Sequence, residues 1–133
     1  MAKSANTKTP AKTATRKPAA KTMAARLRVV LAPDVFLGPG KADLLEGIAE
    51  TGSISAAGRR LNMSYKRAWM LVETLNGYFA KPLVQAATGG KTGGGARLTP
   101  LGEDVLRRYR RMAAATEKAI AEDVAALRKQ RKK

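Results

Sequence analysis

Three observations predict a mainly α fold with a small β-wing, a winged helix-turn-helix continued by a long C-terminal helix. Between residues 41 and 79 apolar side chains recur at helical spacing in three short runs, with a tight corner between the second and third. Two strand-like segments around a glycine-rich loop come next. The chain then closes on a run whose apolar positions repeat every three or four residues. A length of 133 residues suits one such domain with a modest core, not two.

Each element can be justified in order. Residues 1–23 are Lys, Ala, Thr and Pro with hardly an apolar anchor, and they read as a disordered basic arm. The domain itself is expected over 24–127. Arg26–Leu31 alternates and ends in β-branched residues, so it suits a short strand; Pro33-Asp34 turns the chain, and Val35–Leu37 can return as a second strand. Gly38-Pro39-Gly40 reads as a break. From Lys41 a helix carries Leu44, Leu45, Ile48 and Ala49 on one stripe and closes at Thr51-Gly52. Ser53 or Ser55 can cap a second, short helix that turns Ala56, Ala57 and Leu61 inward. After the corner at Asn62-Met63, Ser64 can cap a third helix with Ala68, Leu71, Val72 and Leu75 on its core side.

Pro82–Ala87 and Ala96–Leu98 are expected to pair as a hairpin whose tip is the glycine-rich stretch Thr88–Gly95. Thr99-Pro100 is a helix start, a capping hydroxyl followed by Pro at the first helical position. The last helix is expected from about 100 to 127, with 128–133 as a basic tail. Its stripe runs past what a small domain needs to cover itself. Val105, Tyr109, Met112, Thr116, Ile120 and Val124 are therefore expected at the interface of a homodimer.

Charge narrows the partners. The net charge is +16, and most of it sits at the ends: residues 1–28 hold eight basic groups and no acid, and 128–133 hold five more. The middle, 29–127, keeps 13 basic and 10 acidic groups, a net of +3. Such ends suit a polyanion. With no Cys and no His, disulfides, thiolate or imidazole metal sites and Cys/His catalysis are excluded. The carboxylates show no convincing catalytic pairing: Asp43, Glu46 and Glu50 share a helical face that reads as solvated. No enzyme activity and no cofactor are expected. No apolar stretch of about 18 residues exists to cross a membrane, and the basic N-terminus lacks the apolar run of a secretory signal. The expected setting is the bacterial cytoplasm, in association with the nucleoid.

The residues that would meet DNA follow from the helix-turn-helix geometry. The N-terminal turn of a recognition helix reaches base edges in the major groove, and the helix before it crosses the phosphates. Ser64, Tyr65, Lys66, Arg67 and Trp69 are the candidates on the third helix. Ser53, Ser55, Arg59 and Arg60 are candidates on the second, and Thr88, Gly89, Gly90, Lys91, Thr92 and Arg97 on the hairpin. Gly89-Gly90-Lys91-Thr92 superficially matches the end of a nucleotide-binding loop. That motif requires Gly where Gln85 stands and a helix where a strand follows, so a wing is the better reading.

Three segments, Gly52–Ala57, Ser64–Trp69 and Ala87–Thr99, together resemble the DNA-binding domain of ModE-type molybdate-responsive regulators. The helix pattern is also similar, more distantly, to LysR-type N-terminal domains. The resemblance covers residues 26–120 and implies a homodimeric repressor or activator whose third helix and wing meet DNA and whose long last helix pairs the subunits. Full-length members carry C-terminal molybdate-binding domains of β-barrel type. A sequence of 133 residues has no room for one, so molybdate binding within this chain is not expected. The expected function is a sequence-specific regulator on double-stranded DNA. The alternative is an architectural, sequence-indifferent DNA-binding protein that works through its basic ends.

Overall fold

The computed structural model describes residues 23–87 and 95–132. The arm expected over 1–23 lies outside them except for Met23, as do Thr88, Gly89, Gly90, Lys91 and Thr92. Strands β1 (Val29–Ala32) and β2 (Val35–Leu37) form an antiparallel hairpin. Helices α1 (Pro39–Thr51), α2 (Ile54–Arg60) and α3 (Tyr65–Tyr78) follow. Strands β3 (Val84–Ala87) and β4 (Gly95–Leu98) pair antiparallel, and α4 runs Pro100–Gln130. The chain divides into two compact units: residues 26–116, and the end segments made of 117 onwards with the residues before 26.

Within residues 26–116, one apolar core joins all the elements. Leu44, Leu45 and Ile48 of α1, Ala57 of α2, Ala68, Val72 and Leu75 of α3, and Leu83 before β3 are almost wholly buried. The turns that bring them together are local chemistry. Asp34 at the β1–β2 turn and Asn62 at the α2–α3 corner both take positive φ, 66° and 59°, a conformation that short polar side chains tolerate. At the corner, Met63 N donates to Gly58 O at 3.0 Å and Asn62 N to Arg59 O at 3.1 Å. Gly52 ends α1 with φ 73°, its N–H donating back to Ile48 O at 2.8 Å. Its own carbonyl accepts from Ala96 N of β4 at 2.9 Å. That bond ties the hairpin to the turn leading into α2.

The N-terminus of α4 is wedged against the segment before β3. Thr99 Oγ1 accepts from Gly102 N at 3.0 Å and donates to Pro82 O at 2.8 Å. A Cβ on Gly102 would stand 2.2 Å from Leu83 O, so no other residue fits this crossing.

Several sequence expectations need adjustment. The Gly38-Pro39-Gly40 segment does not break the chain ahead of α1 but starts it, since Pro at the first helical position loses no hydrogen bond. The first strand begins at Val29 rather than Arg26, and the last helix ends at Gln130 rather than 127, which places Arg128 and Lys129 in its final turn. Ala49 is exposed, and Ala56 and Leu61 are only half-buried; Ile54 and Gly58 join Ala57 in the inward positions on α2. Asp43, Glu46 and Glu50 do not form a merely solvated face. Arg110 Nη2 lies 3.0 Å from Asp43 and 2.7 Å from Glu46, and Glu50 pairs with Arg60. Val105 and Tyr109 are buried in the core of their own chain, with Tyr109 Oη donating to Leu27 O at 2.7 Å. Both are thereby withdrawn from the set that could face a second copy. An apolar stripe has the same spacing whichever surface it covers.

Candidate nucleic-acid interface

The candidate interface is built on the α2–α3 pair. Ser53 caps α2 by accepting from Ala56 N at 3.0 Å, and Ser64 caps α3 by accepting from Arg67 N at 3.1 Å. Beyond Ser64 the chain has a strong reason to be helical: Ala68, Val72 and Leu75 fall on one side and are buried against α1 and α2. That burial fixes the rotation of α3. Tyr65, Lys66, Arg67 and Trp69 are consequently exposed on its first two turns. The free N–H groups and partial positive charge of a helix N-terminus favour an anion there.

Neighbouring polar groups are partly engaged. Arg59 Nη1 donates to Ser55 Oγ at 2.9 Å, and Arg60 Nη2 lies 2.5 Å from Glu50 Oε1. Both arginines are exposed, and an exposed ion pair of this kind contributes at most about 1 kcal/mol. A phosphate can therefore replace either partner at small cost. On β4, Arg97 is exposed; with its amide turned to suit, Gln85 Oε1 accepts from Arg97 Nε and Nη2, both at 3.1 Å. The hairpin candidates Thr88 to Thr92 lie outside the described residues.

Sequence reasoning missed two contributors. Met70 is 56% exposed on the second turn of α3, beside Trp69. The signal was present, since its position lies opposite the Ala68/Val72/Leu75 side, but methionine carries no charge to draw notice. Asn76 is the other. Its Oδ1 accepts from Leu83 N at 2.8 Å and from Val84 N at 3.0 Å, while Nδ2 donates to Val84 O at 3.0 Å. It thereby holds β3 of the wing against α3. Nothing at residue 76 foretells a partner seven or eight positions on.

Among the described residues there is no cluster of three or more acidic, His or Cys side chains that could hold a metal ion. No helix among them is long and apolar enough to cross a membrane.

A corner-linked helix pair, an exposed and capped second helix, and a strand hairpin tied to the turn before α2 define a winged helix-turn-helix fold. Residues 41–103 match the family described as bacterial regulatory helix-turn-helix protein, lysR family. Within that class the domain is similar to the N-terminal part of ModE-type proteins. It is 46% identical over 85 residues to the molybdenum-pterin-binding protein MopB of Rhodobacter capsulatus, covering 64% of this chain and 32% of the relative. It is 40% identical over 94 residues to the transcriptional regulator ModE of Yersinia pestis, and 39% over 94 residues to the DNA-binding transcriptional dual regulator ModE of Escherichia coli K12. Each ModE match covers 71% of this chain and 36% of the relative. The chain thus spans about a third of the length of the curated relatives it matches. In fold, it is similar to the DNA-binding domain of CbnR in a complex with DNA, with TM-score 0.54 and 22% identity over 66% of this chain and 95% of that one.

Proposed function

We propose that this chain is a transcriptional regulator of ModE type that binds double-stranded DNA sequence-specifically, with α3 in the major groove and the β3–β4 hairpin beside it as a wing. One observation carries the reading: Ser64 caps α3 while Tyr65, Lys66 and Arg67 stand exposed on its first turn. A helix of ordinary diameter fits the major groove, and its first residues reach the base edges. Arg59, Arg60 and Arg97 supply phosphate contacts, which position without specifying. Two copies pair through the last helix and present two copies of α3 to half-sites about one helical turn apart, roughly 34 Å. The protein works in the cytoplasm, at the nucleoid, where its partner is found, and no catalytic role is part of the proposal.

The test is a binding site selected from random duplexes, followed by Arg67→Ala. The substitution is expected to relax preference at one position of the site at a cost of about 1–3 kcal/mol. Equal weakening on every sequence would remove Arg67 from base readout. A second reading, sequence-indifferent compaction of DNA by the basic ends, is favoured by the charge distribution: eight basic groups and no acid in residues 1–28. Deleting residues 1–23 separates the two in gel shifts with random competitor. Regulation predicts lower affinity and a shallower salt dependence with the site preference kept; compaction predicts loss of binding.

A further inference from the structure

We infer that the outward surface of α3 reads thymine, through the 5-methyl group of the base. The inference rests on the DNA-binding reading above and adds what the helix recognises. On the first two turns, Tyr65 is 59% exposed, Trp69 40% and Met70 56%. The Tyr65 and Trp69 rings pack edge to face, with centroids 6.2 Å apart and planes at 74°. Such a pair is a preferred aromatic arrangement and limits the rotamers of both side chains. Lys66 and Arg67 share the same two turns and are exposed beside it.

This composition does not suit a solvated face, nor a surface that reads bases by hydrogen bonds alone. Three large, mainly apolar side chains meet water there at a cost, although the core already has Ala68, Val72 and Leu75 to hold the helix. Guanine, adenine and cytosine are read in the major groove mainly by their donors and acceptors and carry no methyl group there. The thymine methyl is the apolar group there. Met70 has no strong hydrogen-bonding group, and its unbranched chain and polarizable sulfur adapt to a methyl surface. Trp69 offers a ring face and a single N–H donor. The exposed cations of Lys66 and Arg67 beside this patch complement a polyanion, which favours nucleic acid over a protein as its occupant.

The experiment uses the full chain. A site is selected from random duplexes, and each thymine in it is replaced in turn by deoxyuridine, which removes only the methyl group. We expect the replacement to weaken binding by about three- to fivefold at one or two positions of each half-site, the scale of one buried methyl. In Trp69→Ala or Met70→Ala the same replacement at those positions should change affinity less than about 1.5-fold. The readout is a ratio between two duplexes for one protein, so a partly unfolded variant does not distort it, and thermal melting checks each fold. A selected site indifferent to deoxyuridine throughout would overturn the inference and leave sequence-specific binding standing. Unchanged thymine preference in both variants would do the same. Failure to enrich any sequence would overturn the DNA-binding reading itself.

Discussion

Asn76 joins helix to strand through three hydrogen bonds to residues 83 and 84, and one of its partners, Leu83, is wholly buried. Removing the amide would leave two N–H donors and a carbonyl without partners at a site from which water is largely excluded. Asn76→Ala should therefore destabilise the fold by about 2–4 kcal/mol, read as a lower urea midpoint with an unchanged slope. Asn76→Asp retains the acceptor but loses the donor to Val84 O, and should lie between the two. Glu117 gives a prediction in pH. Its carboxylate accepts from Ala24 N at 3.0 Å and Ala25 N at 2.7 Å, and these bonds hold its pKa below the ordinary value for a glutamate. A depressed carboxylate pKa means the tie is fully present above the ordinary value of 4.5 and is lost as pH falls through the lower, folded-state value. The amide resonances of Ala24 and Ala25 should titrate together in that acid range. In Glu117→Gln they should not titrate.

At the scale of elements, the contact between α1 and α4 depends on a charge cluster that local pattern does not announce. Arg110 Nε and Nη2 donate to Glu46 Oε1 at 3.0 and 2.7 Å, and Nη2 also donates to Asp43 Oδ1 at 3.0 Å. Burial pulls the Arg110 pKa down, but the hydrogen bonds it donates to Asp43 and Glu46, with the attraction of their charges, outweigh it and hold the guanidinium above its ordinary value. Arg110→Ala would leave two carboxylates facing each other without their cation. A loss of about 1–2 kcal/mol is expected, discounted for the partial exposure of all three groups and smaller in high salt. Thermal melts at two ionic strengths check it; an equal loss at both would point to lost packing of the Arg110 side-chain stem instead. The same logic of charge and burial orients α3. Its inner side is settled by Ala68, Val72 and Leu75, so its outer side is available for a groove.

For the whole molecule, pairing with a second copy bears on the long apolar stripe of α4, which the structure divides. Val105 and Tyr109 belong to the core of residues 26–116. Met112 is exposed, and in the end segments Ile120 and Val124 are half-buried and Leu127 is 69% exposed. If pairing uses the later residues, Ile120→Asp with Val124→Asp should shift sedimentation at micromolar concentration from dimer to monomer. Its helix content should be retained, and affinity for a palindromic site should fall much more than affinity for a half-site. A wild-type chain that sediments as a monomer would remove the dimer.

Features that depend on near neighbours along the chain are readable from the residues alone. Apolar spacing places three helices and a long fourth; Ser64 and Thr99 mark helix starts, as does Ser53 or Ser55, between which the structure selects Ser53; Asn62-Met63 marks the corner; the cations after Ser64 mark the exposed turn. Periods and caps are short-range physics, and they are legible in one dimension. Tertiary structure alone decided the links between distant residues: Asn76 to β3, Arg110 to α1, Ala96 to Gly52, and the inward placing of Val105 and Tyr109. A side chain's hydrogen-bonding groups, charge or apolar surface state what it needs. Which partner meets that need is settled only when the core has brought the elements together.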